Sequence, residues 1–352
     1  MTKRWSFRWL AKATISACLA VVIIWAGTRL DWGRIWQQLQ AASLPLELAM
    51  AVAWTGALLV RPLRMMVLMG AMAPEVRRRY WPVWSADMIA MAVNSVVPMR
   101  AGDMMMAFVL NQGLGIRTPR AMSVVLVDRF FDFATVIVMF VVMLAAAPTF
   151  VPWAGDVTVT LVVALVLLVG GLVLAVRLHR VWSSFLERLF VRLPPHVGEK
   201  WHERARDLLG GLASIDRPAT IAIVLALSVL MWGTISASYW FGVQAVWPHM
   251  TIPAAAFVAS ALALSFVVPL APGGFGVYHG VAVVALSLFG VPAEPALAFA
   301  IVAHAFQMGS SLVFGAFCLL WHGMSIRSLA AARQAAPDLE AATRRLTGSA
   351  RP

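Results

Sequence analysis

Charged residues and cysteines are scarce in this sequence, and both shortages narrow the classes of protein it can belong to. Only 12% of its 352 residues are charged and 61% are hydrophobic, whereas soluble domains carry about 25% charged residues. Both cysteines, Cys18 and Cys318, stand inside apolar segments, so neither a disulfide framework nor a thiolate metal centre is predicted. The composition predicts an all-α, polytopic integral membrane protein with little room for a soluble domain.

Motifs of several common enzyme classes are missing as well. The sequence contains no Walker A loop, no His-Glu-x-x-His, no Gly-x-Ser-x-Gly and no Cys-x-x-Cys, which argues against an ATP motor, a zinc protease, a serine hydrolase and dithiol chemistry. We therefore expect no cofactor, no resident metal and no enzymatic activity. The formal net charge of +12 follows from cations beside apolar runs, which the positive-inside rule explains without nucleic acid as a partner.

The apolar segments predict about six full spans. They cover residues 10–28, 44–60, 121–147, 157–176, 219–244 and 296–320. The positive-inside rule places both termini, Arg61, Arg64 and residues 77–79 on the cytoplasmic side. Interfacial helices are predicted at about 178–217, because apolar residues recur there at helical spacing. The spans form one domain, residues 1–325, followed by a basic cytoplasmic tail, residues 326–352.

Residues 94–103 interrupt the apolar sequence with a proline, a cation, a glycine and an anion. The arm before this break covers about residues 82–97, and the arm after it only about 104–112. Ten helical residues reach about 15 Å, half of a hydrocarbon core of about 30 Å. The charge pattern requires an even number of crossings here, so we predict a re-entrant hairpin entering from the cytoplasm. A steeply tilted pair of spans and an ordinary cytoplasmic turn remain open alternatives.

A second break, residues 269–276, contains two prolines and three glycines between the apolar segments 252–268 and 277–289. A hairpin entering from outside is favoured, and two full spans are the alternative. Two hairpins entering from opposite faces are typical of inverted-repeat transporters, in which interrupted helices meet near the midplane. The sequence thus predicts two broken helical hairpins in an inverted repeat of two halves.

Intramembrane charges supply the first set of candidate site residues. Asp128 and Asp132 are four residues apart and share a helix face, whereas Arg129 is offset and could pair with Asp103. Arg100 could bind a phosphate, and Asn94 could cap or hydrogen-bond the break. Charges inside membranes usually mark functional sites. The alternative interpretation is a set of charges that only anchors the third span.

The second set lies at the second break and in the last span. Backbone amides at Gly273, Gly274 and Gly276 could hold an anion, although such a break can also simply let two helices pack closely. His279 and His304 are either buried core histidines or groups that relay protons or contact a headgroup. Gln307, one helical turn beyond His304, is its predicted partner.

Together these motifs resemble the lysylphosphatidylglycerol synthase transmembrane, or flippase-like, family. The resemblance rests on Asn94-x-x-x-Pro98-x-Arg100-x-Gly102-Asp103, on Asp128-Arg129-x-x-Asp132 and on Pro272-Gly-Gly-Phe-Gly276. It implies a protein of the bacterial inner membrane that moves a polar lipid between leaflets. The chain departs from the family's pattern at Asp103, where Glu is usual, at His279, where Glu is usual, and at His304, where Arg is frequent. Since no soluble domain fits in this chain, the family's synthase domain, which attaches amino acids, is expected to be absent.

Three functions are compatible with these features. The first is a flippase or translocation facilitator for phospholipids or glycolipids, in which Arg100 and Arg129 hold the lipid phosphate. Asp103, Asp128 and Asp132 would then balance those cations or contact a cationic headgroup. The second is a membrane transferase acting on a lipid-linked sugar or phosphate, with the aspartates as base or metal ligands. The third is a non-catalytic subunit of an envelope-lipid assembly. Membrane phospholipids or glycolipids are the expected partners, together with a lipid-modifying enzyme.

Overall fold

A computed structural model describes residues 31–70, 74–97, 100–145, 155–171, 174, 217–266 and 272–322. Within these ranges all regular structure is helical, with two short 3-10 turns, Pro74–Arg78 and Pro272–Gly274. The α-helices are α1 (Trp32–Ala41), α2 (Leu44–Gly70), α3 (Tyr80–Val96), α4 (Ala101–Leu114), α5 (Thr118–Ala145), α6 (Gly155–Gly171), α7 (Pro218–Val246), α8 (Ile252–Ser265), α9 (Val277–Ser287) and α10 (Ala293–Trp321). The predicted first span, the interfacial helices and the basic tail lie outside the described residues.

Three of the described helices, α2, α7 and α10, are long and apolar enough to cross a membrane. They contain 27, 29 and 29 residues, or roughly 40 Å and more at 1.5 Å per residue. Helix α5 is similarly long, with 28 residues, but it carries Asp128, Arg129 and Asp132 within its apolar sequence. These helices confirm the predicted all-α, polytopic membrane fold. The number of six spans stays a prediction, since residues 10–28 are not described.

Four shorter helices form the two predicted hairpins. Helices α3 and α4 have 17 and 14 residues, and α8 and α9 have 14 and 11. At roughly 17 to 26 Å in length, none of them reaches across a hydrocarbon core of about 30 Å unless the bilayer thins. Within each hairpin the two helices pack against each other and run antiparallel. Each break therefore joins two short helices that return side by side.

The order of elements repeats along the chain, and the two copies are inverted. A long helix, a broken hairpin and a second long helix occur as α2 to α5 and again as α7 to α10. Helices α2 and α7 form the central pair and run antiparallel, since Ser238 donates to the Met50 carbonyl and Arg64 to the Ser228 hydroxyl. The hairpins consequently start at opposite ends of this pair. Cross-packing is reciprocal, because α3 packs on α10 and α8 on α5.

Small residues allow the halves to approach closely. A β-carbon at Gly315 of α10 would overlap Ala92 of α3 and lie 2.8 Å from the Met88 carbonyl oxygen. Small residues at such crossings are typical of membrane helices, which associate through close backbone contact rather than through exclusion of water. The first hairpin is therefore fixed against the last helix of the other half.

Helix α2 corrects one expectation. The prediction ended this span at residue 60 and placed Arg61 and Arg64 in a cytoplasmic loop. The helix instead continues through Pro62 to Gly70, and Arg64 is among the most buried side chains described, with 1% exposure. The arginines stay within the helix because carboxylates of other helices neutralise them. Arginine marks a loop only where no such partner is available.

Candidate functional site

Arg64 is the centre of a buried charge network that joins three long helices. Its Nε donates to Asp128 Oδ1 at 2.7 Å, and its Nη2 lies 2.7 Å from Asp132 Oδ1, both on α5. Its Nη1 donates to the Ser228 hydroxyl of α7 at 3.0 Å. The four-residue spacing of the aspartates puts both carboxylates on the face that receives the planar guanidinium. A fully buried cation of this kind is tolerated because two carboxylates offset its charge, although Nη2 and Asp132 Oδ1 approach each other without hydrogen-bond geometry.

Arg129 continues the network towards the first break. Its Nη1 donates to Asp132 Oδ2 at 2.9 Å, and its Nε lies 3.4 Å from Asp103 Oδ1 in the first turn of α4. The predicted pairing of Arg129 with Asp103 is thereby confirmed. The side chains of Arg129, Asp103 and Asp132 keep 14 to 17% exposure. The network thus passes from a sealed centre at Arg64 to a more accessible edge at Arg129.

Arg100 lies at the tip of the first hairpin in an unusual backbone conformation. Among the described residues other than glycine, it alone has a positive φ, 54°, and it immediately precedes α4. Such a conformation costs on the order of 1–3 kcal/mol and persists only where the surroundings fix it. The guanidinium lies 5.0 Å from the centre of the Phe133 ring, one turn beyond Arg129 on α5. Arg100 and Arg129 are therefore brought to the same part of α5.

Asn94 and Gly102 close the first break. The Gly102 amide donates to Asn94 Oδ1 at 2.8 Å, so the predicted hydrogen bond of Asn94 at the break is confirmed. A β-carbon at Gly102 would overlap the Ala90 carbonyl oxygen and lie 2.7 Å from atoms of the Asn94 side chain. Only glycine permits this approach of α4 to α3. The side-chain cap and the absent β-carbon together set the distance between the two arms.

A second ion pair lies one turn along α2 from Arg64. Arg61 Nε is 3.3 Å from Asp87 Oδ2 of α3, with side-chain exposures of 20% and 2%. Neither Asp87 oxygen has a hydrogen-bond partner within the described residues, and the same is true of Arg61 Nε and Arg129 Nε. In these ion pairs the opposite charges lie within 3.4 Å of each other, but the named atoms form no hydrogen bond. Buried polar atoms in that condition usually have a functional explanation.

The residues of the second break form a separate aromatic and imidazole cluster. His304 Nε2 lies 2.8 Å from the Gly273 carbonyl oxygen, and its ring stacks on Tyr278 with centroids 4.6 Å apart. His279 and Phe275 each lie 5.1 Å, centroid to centroid, from His304. Gly276 precedes α9 with φ of 79°, and a β-carbon at Gly274 would overlap the Phe266 ring. These contacts group the predicted glycines and histidines around the start of α9.

Gln307 has partners other than His304, so its predicted pairing with that histidine is wrong. Its Nε2 donates to the hydroxyls of Tyr239 at 2.7 Å and Tyr278 at 3.1 Å. Tyr278 also donates to Tyr239 at 3.3 Å. This network joins α7, α9 and α10, the counterparts in the second half of α2, α4 and α5. Each half thus holds a polar network on corresponding helices. The network of the first half consists of ion pairs, whereas the hydrogen bonds just described in the second half join uncharged groups.

The two breaks adjoin at the last turn of α3. Asn94 bonds Gly102 of the first hairpin, while the carbonyl oxygen of the next residue, Ser95, would lie 3.1 Å from a β-carbon at Gly273. Gly273 has φ of 61°, which favours glycine, and Met308 of α10 fills the space beside it. The prediction that the interrupted segments of the two halves meet is therefore confirmed by geometry.

The sequence reasoning missed Arg61, Arg64, Asp87, Tyr239 and Tyr278. One signal could have identified the first three. Asp87 stands within an apolar run, where a carboxylate needs a cation, and Arg61 and Arg64 are spaced to share one helix face. The tyrosines gave a weaker signal, since aromatic residues are common in membrane helices.

Chemically, the first network offers donors to an anion at an accessible edge. The Arg129 and Arg61 side chains are partly exposed, although their Nε atoms are buried against Asp103 and Asp87. Arg100, at the first break, lies beside the same stretch of α5 as Arg129. Guanidinium groups bind phosphate oxygens through several parallel hydrogen bonds. No group of three or more His, Cys, Asp or Glu side chains suited to a metal occurs in the described part of the chain.

Comparison with known proteins gives one match. No curated protein and no solved structure matches the chain. The family model described as the lysylphosphatidylglycerol synthase TM region matches residues 9–315. This match covers both hairpins, both polar networks and the central helix pair. The chain therefore belongs to the family of the lysylphosphatidylglycerol synthase transmembrane region, a family of membrane proteins in lipid metabolism or transport.

Proposed function

We propose that this protein is a lipid flippase, or translocation facilitator, for a lipid whose polar headgroup carries a phosphate. The observation that supports this most strongly is the edge of the charge network at the meeting point of the two breaks. The Arg129 and Arg61 side chains keep 14% and 20% exposure, and Arg100 lies beside the same stretch of α5 as Arg129. A phosphate that entered here would accept hydrogen bonds from guanidinium N–H groups of these arginines.

The location of this edge suits a headgroup that passes through the bilayer. A lipid phosphate needs a polar environment at a depth where water is absent, because an uncompensated charge there costs several kcal/mol. Broken helices of inverted halves provide such an environment near the midplane of other transporters. The acyl chains can stay in the surrounding lipid, since the described helices expose large apolar side chains such as Leu48, Val52, Val229 and Val313.

A protein of this kind would act in the bacterial inner membrane with both termini in the cytoplasm, the orientation that the arginine distribution favours. Its ligands would be membrane phospholipids or glycolipids, with a lipid-modifying enzyme as a functional neighbour. The role is transport rather than catalysis. In the transferase alternative, Asp128 and Asp132 would bind a metal, but Arg64 already bridges these two carboxylates. A divalent ion would have to replace that guanidinium.

Reconstitution into liposomes tests the proposal. Vesicles containing a fluorescent phosphatidylglycerol are treated with dithionite, which quenches only the outer leaflet, so lipid exchange appears as quenching beyond one half. We expect exchange with the wild-type protein and a loss of at least tenfold in rate for Arg129→Gln. The matched control is Arg34→Gln, which removes an exposed arginine paired with Asp31 on α1 and should leave the rate unchanged.

Three outcomes would count against the proposal. Absence of protein-dependent exchange for every phospholipid and glycolipid class would exclude transport. Dependence on Mg²⁺ or Mn²⁺, together with a covalently altered lipid, would favour the transferase. A protein that shows no exchange, and whose Arg129→Ala variant supports growth like the wild type, would favour a non-catalytic subunit.

A further inference from the structure

Asp87 is a buried carboxylate that the phosphate site does not use. It is 1% exposed, it faces Arg61 at 3.3 Å, and neither of its oxygens accepts a hydrogen bond within the described residues. Carboxylates buried in a membrane protein normally accept several hydrogen bonds, and those that do not are frequently sites of proton binding. Asp87 thus has a counter-ion but no fixed hydrogen-bonding environment.

The charges around Asp87 balance one another. The neighbouring helices contribute, besides Asp87 itself, Arg61 and Arg64 from α2, Arg100 and Asp103 from the start of α4, and Asp128, Arg129 and Asp132 from α5. These are four arginines and four aspartates. Helix α10, which packs along α3, carries Glu294 in its first turn, His304 at the second break and Cys318 beside Ser85. The network with Asp87 ionised is therefore formally neutral.

An anionic lipid would disturb this balance. One phosphate monoanion gives the network a charge of −1, and the phosphate would attract Arg61, the most exposed of the arginines in its ion pairs. Asp87 would then be a buried carboxylate without its counter-ion, a state that strongly favours the protonated form. Uptake of a single proton by Asp87 would restore neutrality.

We propose that Asp87 is a proton-binding site through which the protein couples movement of an anionic lipid to movement of one proton. This inference rests on the proposed flippase function. On lipid entry the Arg61–Asp87 ion pair opens, the Arg61 N–H groups donate to phosphate oxygens, and one carboxylate oxygen of Asp87 accepts a proton from water. On lipid release the proton leaves and the ion pair reforms. Lipid and proton together carry no net charge across the membrane.

The direct test measures proton uptake on lipid binding. Purified protein in weakly buffered detergent is mixed with short-chain phosphatidylglycerol, and the pH is followed with the dye pyranine. We expect one proton taken up per lipid bound by the wild type and none by Asp87→Asn. The control Asp31→Asn, which neutralises the exposed carboxylate at the N-cap of α1, should behave like the wild type. Phosphatidylcholine should cause no uptake, because its quaternary ammonium already cancels its phosphate.

A transport measurement tests the same proposal independently. In liposomes with a gradient of one pH unit, coupling to one proton predicts an unequal distribution of fluorescent phosphatidylglycerol of up to about tenfold between leaflets. A membrane potential alone should produce no asymmetry. Should Asp87→Asn fail to fold, the wild-type measurements still decide, since lipid binding without proton uptake overturns the proposal.

The two hypotheses fail in different ways. Rapid exchange that ignores the pH gradient would refute coupling through Asp87 and leave the flippase function intact. Absence of exchange for any lipid would refute the flippase function, on which the coupling rests. Proton uptake that persists in Asp87→Asn would assign the proton to another group and overturn the site.

Discussion

Replacement of Arg64 by methionine tests whether the charge network holds the bundle together. The side chain is 1% exposed and makes three contacts, at 2.7 Å to Asp128, at 2.7 Å to Asp132 and at 3.0 Å to Ser228. Methionine has a similar length and packs readily in membrane helices, so the change removes charge and donors with little loss of volume. Asp132 keeps Arg129 as a partner, whereas Asp128 loses the one ion pair that it forms within the described residues.

The expected loss is about 3–5 kcal/mol, the cost of leaving a buried carboxylate without its counter-ion. The assay is the free energy of unfolding, obtained by titrating the protein in mixed micelles with SDS. Arg64→Met combined with Asp128→Asn should be more stable than Arg64→Met alone, because the second change removes the uncompensated charge. The stability of Arg64→Lys should lie between those of the wild type and Arg64→Met, since an ammonium group keeps the charge but lacks the planar fork that reaches both carboxylates.

The matched control is Arg34→Met, which breaks the exposed pair with Asp31 and should cost no more than about 1 kcal/mol. If Arg64→Met were as mild as this control, the network would not stabilise the bundle and the assignment of α2, α5 and α7 to one charged core would be refuted. If the double variant were less stable than Arg64→Met, unpaired charge would not be the cause of the loss.

Three further predictions concern the two breaks. Gly102→Ala should destabilise the protein by about 1–3 kcal/mol in an SDS titration, because the new β-carbon overlaps the Ala90 carbonyl oxygen. The control Gly113→Ala, in the same helix, meets no atom closer than 3.7 Å and should be neutral or stabilising. Asn94→Ala removes the side-chain acceptor of the Gly102 amide and should cost about 0.5–2 kcal/mol, with faster hydrogen exchange at that amide. Gln307→Leu removes the amide that donates to the buried hydroxyls of Tyr239 and Tyr278 and should lower the free energy of unfolding in SDS by about 1–3 kcal/mol. An unchanged free energy of unfolding would show that this network does not stabilise the fold.

Much of the architecture could be predicted because membrane insertion imposes simple length and charge rules. The short arms and the proline- and glycine-rich breaks predicted both hairpins, and the helices found there are too short to cross unaided. The inverted arrangement followed from charge counting. It is now visible in the antiparallel packing of α2 on α7.

The site was less predictable, for a definite physical reason. A sequence shows which charges lie within apolar runs but not which of them meet in space. Asp103 and Arg129 were paired correctly because both were recognised as intramembrane charges. Arg64 was assigned to a loop because the positive-inside rule treats arginine as exposed, and its buried position depends on carboxylates 64 and 68 residues later in the chain. The Gln307 partners were missed because the tyrosines lie on α7 and α9, and the packing of these helices on α10, not local spacing, brings them to Gln307.

The close approach of Ser95 to Gly273 has a mechanical consequence. With no side chain between them, the tip of one hairpin cannot withdraw without either opening a void or carrying the other tip along. Any motion that admits a ligand from one side must therefore be shared by both halves of the molecule. A bulky residue at position 273 would separate the two tips and uncouple their movement.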